Sequence, residues 1–529
     1  MIDASEQWKS AFYENILPET FVELSCSFGD PVAQDSATVV GVNEAYFSYP
    51  EHLMKADVRT LGNKMLTLET NSWLLSTLNA ELYGDPENYN PYIPIYASQS
   101  DQGEVVVRFP EVVTTVVPGI TITWGENHFG EYAKRFTVVA KNGTTEVASA
   151  TVKANNSTVT QVELELTNYD SITVKVTEWS MPEHRVRIND LSLGHTVVFD
   201  KKDILSFSHE QTGCVNSGEL PHSEIRFSID NSNKRWDPYD PTGDTKFISE
   251  RQRISVRYGL DIGGNTEWID AGLFYLSEWK IPANGFEAQF VATDILTNCS
   301  GIRTDMYTIK SVNVNQLFAD WNSYVKNEGY GVPSEWLVGY LGNPDLVVDI
   351  PGEPEGRPIG ELLQMLANFT GCVIKHPAIF AIAGYPVTRL EPLDTASVAA
   401  SGFITLDNAY SYPELELTKP LKSVSVAVAD DERYVLNVNA DGETLTIDNP
   451  LVRTTEDAAR IAEWIAGNTN KRKILRGEFR ADPRAELFDV MYVETGKKGM
   501  GVAAEFVVLT NIKYTYSGSF HGTYEGYVL

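Results

Sequence analysis

Between Asp230 and Asp240 potential cation-binding oxygens occur in number: Asp230, Asn231, Ser232, Asn233, Asp237 and Asp240 crowd into one short stretch. Calcium is held by carboxylate and amide oxygens of this kind. A helix-loop-helix calcium loop, however, needs Gly at its sixth position and Glu at its twelfth, and those positions hold Arg235 and Pro241. The same residues suit a second role. Asx side chains accept hydrogen bonds from nearby backbone N–H groups and shape turns. The stretch therefore reads as a structural loop, with no metal assigned to it.

Other chemistry finds little footing. The eight histidines, His52, His128, His184, His195, His209, His222, His376 and His521, are scattered, and none stands at ligand spacing from another. They read as loop or surface histidines with satisfied rings. Cys26, Cys214, Cys299 and Cys372 form no CxxC pair, so buried reduced thiols are expected. No GxSxG elbow, HExxH helix, GxxxxGK[ST] loop or strand-linked GxGxxG is present. With 72 Asp and Glu residues, candidate carboxylate pairs for glycoside hydrolysis are everywhere and single out nothing. The chain is expected to be no enzyme and to carry no cofactor.

Aromatics supply the remaining candidates. Trp124, His128, Phe129 and Tyr132 cluster where a strand runs into a loop. Trp124 alternates with Ile120 and Ile122 and reads as core. His128 and Tyr132 are left as candidate glycan contacts, since aromatic faces stack on sugar rings.

A net charge of −30 argues against a tightly held nucleic acid, which needs clustered Lys and Arg. No apolar run reaches the roughly 18 residues of a membrane span, so no membrane anchor is expected. The opening MIDASEQWKSAF lacks the basic and apolar regions of a secretory signal, and synthesis in a cytoplasm without export is expected.

The elements that would position these residues are mostly strands, and a chain of 529 residues should divide into several domains. Residues 1–103 read as a β-rich segment with a short helix capped by Asp3, ending in a Pro/Asn/Tyr-rich connector at 83–103. Residues 104–195 read as strand after strand, with Asn142-Gly143 as a hairpin turn. Residues 196–300 form another all-β block, with Gly263-Gly264-Asn265 turning one hairpin. Residues 301–404 mix helix and strand; Ile359, Leu362, Leu363 and Leu366 share a helical face, with Pro358 in its first turn and Gly371 at its end. Strands return over 405–529, where Asp441-Gly442 suggests a hairpin and Thr454 with Asp457 a capping box before a helix.

Three stretches carry a resemblance. FSIDNSNKRWDPYDPTGDTKFISERQRISVRY (227–258), then GLFYLSEW and FEAQFVATD, resemble the first barrel of the tail hub proteins of long-tailed bacteriophages. GELLQMLANFTGCVIKHPAIFAIAG is similar to the small insert between their barrels, and the ending from Asp482-Pro483-Arg484 to Leu529 is similar to their second barrel. GITITWGENHFGEYAKRFTVVA with VRINDLSLG is similar to a discoidin-like (galactose-binding-like) module.

The resemblance implies a mainly β, multidomain chain: a discoidin-like jelly roll plus two hub-type β-barrels with a small α/β insert between them. It makes Asp230, Asn231, Asn233, Asp237, Pro238 and Pro241 a structural family loop. It further implies a homotrimeric ring at the distal end of the tail tube. Expected partners are the tail tube and distal tail proteins, the tape-measure protein and tail fibre or tip proteins. DNA would meet the ring only in transit, and a host-surface glycan is a further candidate partner. The expected location is the virion, after synthesis in the host bacterial cytoplasm. A carbohydrate-binding adhesion protein acting through the discoidin-like module is the alternative.

Overall fold

The computed structural model describes residues 1–12, 17–30, 33, 36–42, 104–124, 131–180, 186, 188–237, 239, 244–282, 285–304, 311–327, 336–350, 357–376, 387–393, 400–428, 432–498 and 501–529. The expected connector at 83–103, His128, Phe129, Pro238, Asp240 and Pro241 lie outside these. The chain folds as two compact units: one of residues 25–198 and 235–253, the other of residues 1–24, 199–234 and 254–529.

The first unit is built on β1 (Thr38–Val42), β2 (Glu104–Val113), β3 (Val117–Trp124), β4 (Ala133–Asn142), β5 (Thr145–Val152), β6 (Val159–Leu166), β7 (Tyr169–Trp179) and β8 (Ile188–Leu193). A five-stranded sheet runs β1-β2-β7-β4-β5 and a three-stranded one β6-β3-β8. Alternation explains the packing. Along β4, Phe136, Val138 and Ala140 are buried while their neighbours are not, and both sheets contribute to one apolar core. Gly143, at φ 59°, turns β4 into β5 as its Asn-Gly signal requires. This two-sheet packing is what the structure shows of the expected jelly roll. Trp124 is core, edge-on to Phe136 at 5.0 Å, with its indole N–H donated to Thr160 Oγ1 at 2.9 Å.

The second unit opens with α1 (Glu6–Ala11). Its N-cap is Ser5, whose Oγ accepts the Trp8 N–H, in place of the expected Asp3. Its strands include β9 (Ile204–Thr212), β10 (His222–Asp230), β11 (Arg253–Ile262), β12 (Asn265–Lys280) and β13 (Glu287–Thr293). Later come β14 (Glu414–Leu417), β15 (Leu421–Ala427), β16 (Arg433–Asn437), β17 (Glu443–Ile447), β18 (Lys473–Arg480), β19 (Val490–Lys498), β20 (Gly501–Tyr516) and β21 (Phe520–Val528). One sheet runs β11-β12-β13-β10-β9-β20-β21-β18-β14, with β19 also on β20.

That path overturns the two closed barrels expected over 196–300 and 405–529. Among the described residues no sheet closes on itself. β9 pairs antiparallel with β20, from Phe207 opposite Tyr516 to Thr212 opposite Asn511, so the two blocks share one open sheet. Alternation in sequence reports that a strand has a buried face; it does not say which neighbour takes each edge. The edge with which β9 could have closed its own block joins it to the other.

The helical part shares a core of its own. α2 (Ile295–Cys299), α3 (Val314–Asn327), α4 (Ile359–Thr370) and α5 (Thr455–Thr469) bury one face each in a single apolar cluster, together with Val424 and Val426 of β15. Gly371 ends α4 at φ 69°, with its N–H returned to Asn368 O, as expected. Pro358 stands at the N-cap, one residue before the first turn. Thr454 caps α5 by accepting the Asp457 N–H.

Asp441-Gly442 does not turn a hairpin. β16 and β17 do not pair with each other; both pair with β15, one antiparallel and one parallel. Gly442 sits at φ 131°, so close to the Pro420 carbonyl that a Cβ would fall 2.0 Å from its oxygen.

Candidate functional site

The Asx loop is built as a turn. Asp230, exposed at the end of β10, accepts the Ser232 N–H on Oδ1 at 2.9 Å and the Ser232 hydroxyl on Oδ2 at 2.9 Å. Asn231 is fully buried, donating its N–H to Phe286 O at 2.8 Å and its amide to Gly285 O at 3.1 Å. Lys234 takes φ 61° and lays its ammonium 4.6 Å from the Phe286 ring centre. Asp237 Oδ1 accepts the Tyr239 N–H, and Asn233 is exposed. The oxygens of Asp230 and Asp237 thus receive hydrogen bonds from the chain itself. Among the described residues no group of three or more His, Cys, Asp or Glu is placed to hold a metal.

Tyr132 is half-buried against the core of the first unit, its backbone N–H donated to Ser180 Oγ at 2.9 Å. Cys26, Cys299 and Cys372 are buried and Cys214 half-buried, and none of the four is joined in a disulfide.

The polar chemistry of the second unit lies elsewhere, at residues read from the sequence as unremarkable. His209 is no surface histidine. It is only 3 % exposed, inside the sheet, because β9 buries Phe207, His209 and Gln211 on one face. Nδ1 lies 2.8 Å from Tyr258 Oη, and Nε2 lies 2.9 Å from Ser223 Oγ and 3.3 Å from Gln211 Nε2. The rings of Phe274 and Tyr514 flank it. Burial pushes its pKa down to about 3, because a charged imidazole would lose its hydration there.

Gln211, Ser223 and Asp294 share with it a small pocket that His376 also lines. Asp294 caps α2, accepting the Thr297 N–H on Oδ1, and accepts the Ser223 N–H on Oδ2. His376 bonds to Thr388 Oγ1, which also takes the Trp336 indole N–H. Burial lowers the His376 pKa, against the pull of Asp294. The period-two alternation through Phe207 was the one available signal that His209 points inward.

Beyond Gln211 lies a second buried group. The loop after β18 pairs Asp482 with Arg484, the two joined by more than one hydrogen bond and both at most 7 % exposed. Asp489 accepts the Met1 amine at 2.7 Å and stands 3.4 Å from Lys375 Nζ. Burial works against the Lys375 charge, but Asp489, Glu391 and Glu486 outweigh it and raise its pKa. Tyr514 Oη donates to Ala485 O at 2.8 Å. The arrangement can hold a loop.

The architecture is that of a mainly β, multidomain protein. No protein-family model and no curated protein matches the chain. Among solved structures it is similar to the 43 kDa tail protein of prophage MuSo2 from Shewanella oneidensis, at 14 % identity and TM-score 0.41, over 63 % of this chain and 95 % of that one. It is similar to the tail protein from Neisseria meningitidis MC58, at 9 % identity and TM-score 0.45, over 63 % and 94 %. It is also similar to prophage tail protein gp18 from Listeria monocytogenes, at 12 % identity and TM-score 0.39, over 63 % and 91 %.

Proposed function

We propose that this chain is a structural component of a phage or prophage-derived tail, assembled as a homotrimeric hub at the distal end of the tail tube. One observation carries the reading: the strands of the hub-like motif are neighbours in space. β10, which leads into the Asx loop, pairs with β13, the FxAxFxATD strand, and β13 pairs with β12, the GLFYLSEW strand, whose other neighbour is β11. The proteins named above are themselves tail proteins by name. Work by such a chain comes from buried interfaces, not bond chemistry. Tail tube, distal tail, tape-measure and fibre or tip proteins are its proposed partners, with DNA passing and not held. Proposed domain limits follow 1–103, 104–195, 196–300, 301–404 and 405–529.

Light scattering on the purified chain tests the assembly: the expected mass is three times 58.8 kDa. Immunogold electron microscopy of a particle containing the chain tests the place. Label at the tail tip supports the reading, and label at the head or neck overturns it.

A further inference from the structure

We propose that His209 and Gln211 form an acid-sensitive latch on the buried loop 481–489, which is held in a strained conformation and released when His209 takes a proton. The argument begins with hydrogen-bond direction. The Leu487 backbone N–H points at Gln211 Oε1, 3.3 Å away. That fixes the amide with its NH2 toward His209, where Gln211 Nε2 lies 3.3 Å from His209 Nε2. An amide NH2 only donates, so Nε2 must be an acceptor, and the ring is neutral with its proton on Nδ1, donated to Tyr258 Oη.

A second proton would sit on Nε2. Ser223 can answer by reversing its hydroxyl and accepting; Gln211 cannot without turning its amide over. Turned, it presents NH2 to the Leu487 N–H, donor against donor. The groups around the ring leave no other remedy. Tyr258 and Tyr514 are phenols whose pKa burial holds well above the usual value. Phe274 is apolar, the half-buried His376 is paired through Nδ1 with Thr388 Oγ1, and both oxygens of Asp294 already accept backbone N–H groups.

The loop carries local strain beside the Gln211 bond. Phe488, a bulky residue only 6 % exposed, is held at φ 64°, a region that side chains of its size rarely adopt. Its N–H is tied to Leu509 O at 2.9 Å, and the Leu487 N–H beside it is tied to Gln211. Loss of the Gln211 bond removes a restraint next to the strained residue.

Hydrogen-exchange mass spectrometry on the full chain between pH 7 and pH 5, corrected for intrinsic rates, tests this. If the opened loop lets His209 titrate near the ordinary 6.5, protection over 481–489 falls by about 20-fold across that range. Protection in β3 stays level. In His209→Gln the fall disappears. In Gln211→Glu it also disappears, because a carboxylate accepts from both Leu487 N–H and a protonated Nε2. Level protection in the unaltered chain overturns the latch, as does an undiminished fall in either variant; should His209→Gln not fold, Gln211→Glu decides alone.

Discussion

The interiors of the two units are built from different material. The first unit is mostly hydrocarbon, with the buried carboxylate of Glu131. Trp124, Phe136, Trp179 and Ile172 pack in one cluster, and the two indole N–H groups find single acceptors in Thr160 and Glu131. The second unit buries His209, Gln211, Asp294, Asp482, Arg484, Glu486 and Asp489 along the inner side of a long sheet and its loops. Apolar burial is non-directional and tolerates some repacking. Buried polar groups do not tolerate the loss of one partner, which leaves a desolvated group behind. The first unit should therefore respond chiefly to lost volume, while the second should respond to lost partners and, through His209, to protons.

Two truncations should have the largest effects and separate the two kinds of interior. Trp124→Ala removes a fully buried indole, and urea unfolding followed in the first unit should show a loss of about 3–5 kcal/mol. Arg484→Ala leaves Asp482 buried without its partner and should cost the second unit about 3–5 kcal/mol. The companion double change, Arg484→Met with Asp482→Leu, should cost less than the single one, since no charge is then stranded. A double variant as damaged as the single would show that volume, not pairing, governs this loop, and the contrast between the units would vanish.

Next in size is the response to acid. The folded state holds the His209 pKa at about 3, below the ordinary value near 6.5. The unfolded chain therefore binds a proton that the folded chain refuses. Stability from this group is full above pH 6.5 and is lost as pH falls toward 3. Between pH 7 and pH 5 the loss is about 2 kcal/mol. His376, lowered by the same cause, adds in the same direction. Denaturant midpoints of the second unit measured from pH 7 to pH 5 should slope downward, and His209→Gln should flatten most of that slope. The first unit should show no such slope; an equal slope in both would refute the division.

Some of the local structure was legible in the residues, but this division was not. Local signals were read well where one residue decides the geometry: Gly143 and Gly371 turn the chain to positive φ as expected, and Thr454 caps its helix. Signals failed where a partner distant in sequence decides. Asp441-Gly442 carries a hairpin signature, yet Gly442 instead brings the chain against Pro420, and β15 separates the two strands. The barrels failed for the same reason, since nothing within β9 announces that β20 will take its edge. His209 was misjudged because its meaning lies in Tyr258, Gln211 and Leu487 together, and spacing between histidines says nothing about them.

The smallest effect tests whether the first unit is indifferent to protons around Trp124. Thr160 Oγ1 is the acceptor for the Trp124 indole N–H. Thr160→Val keeps the volume and removes the acceptor, so the indole proton is left buried and unpaired. The expected loss is about 1–2 kcal/mol, within the range for an unsatisfied neutral donor. Neither an indole N–H nor a threonine hydroxyl titrates in this range, so the loss should be the same at pH 5 and pH 8. Thr160→Ser restores the acceptor and should recover most of the stability. A loss that grew at pH 5 would mean that a titrating group such as Glu131, which accepts the indole N–H of Trp179 beside Trp124, is coupled to Trp124, and the first unit would then share the proton sensitivity assigned here to the second.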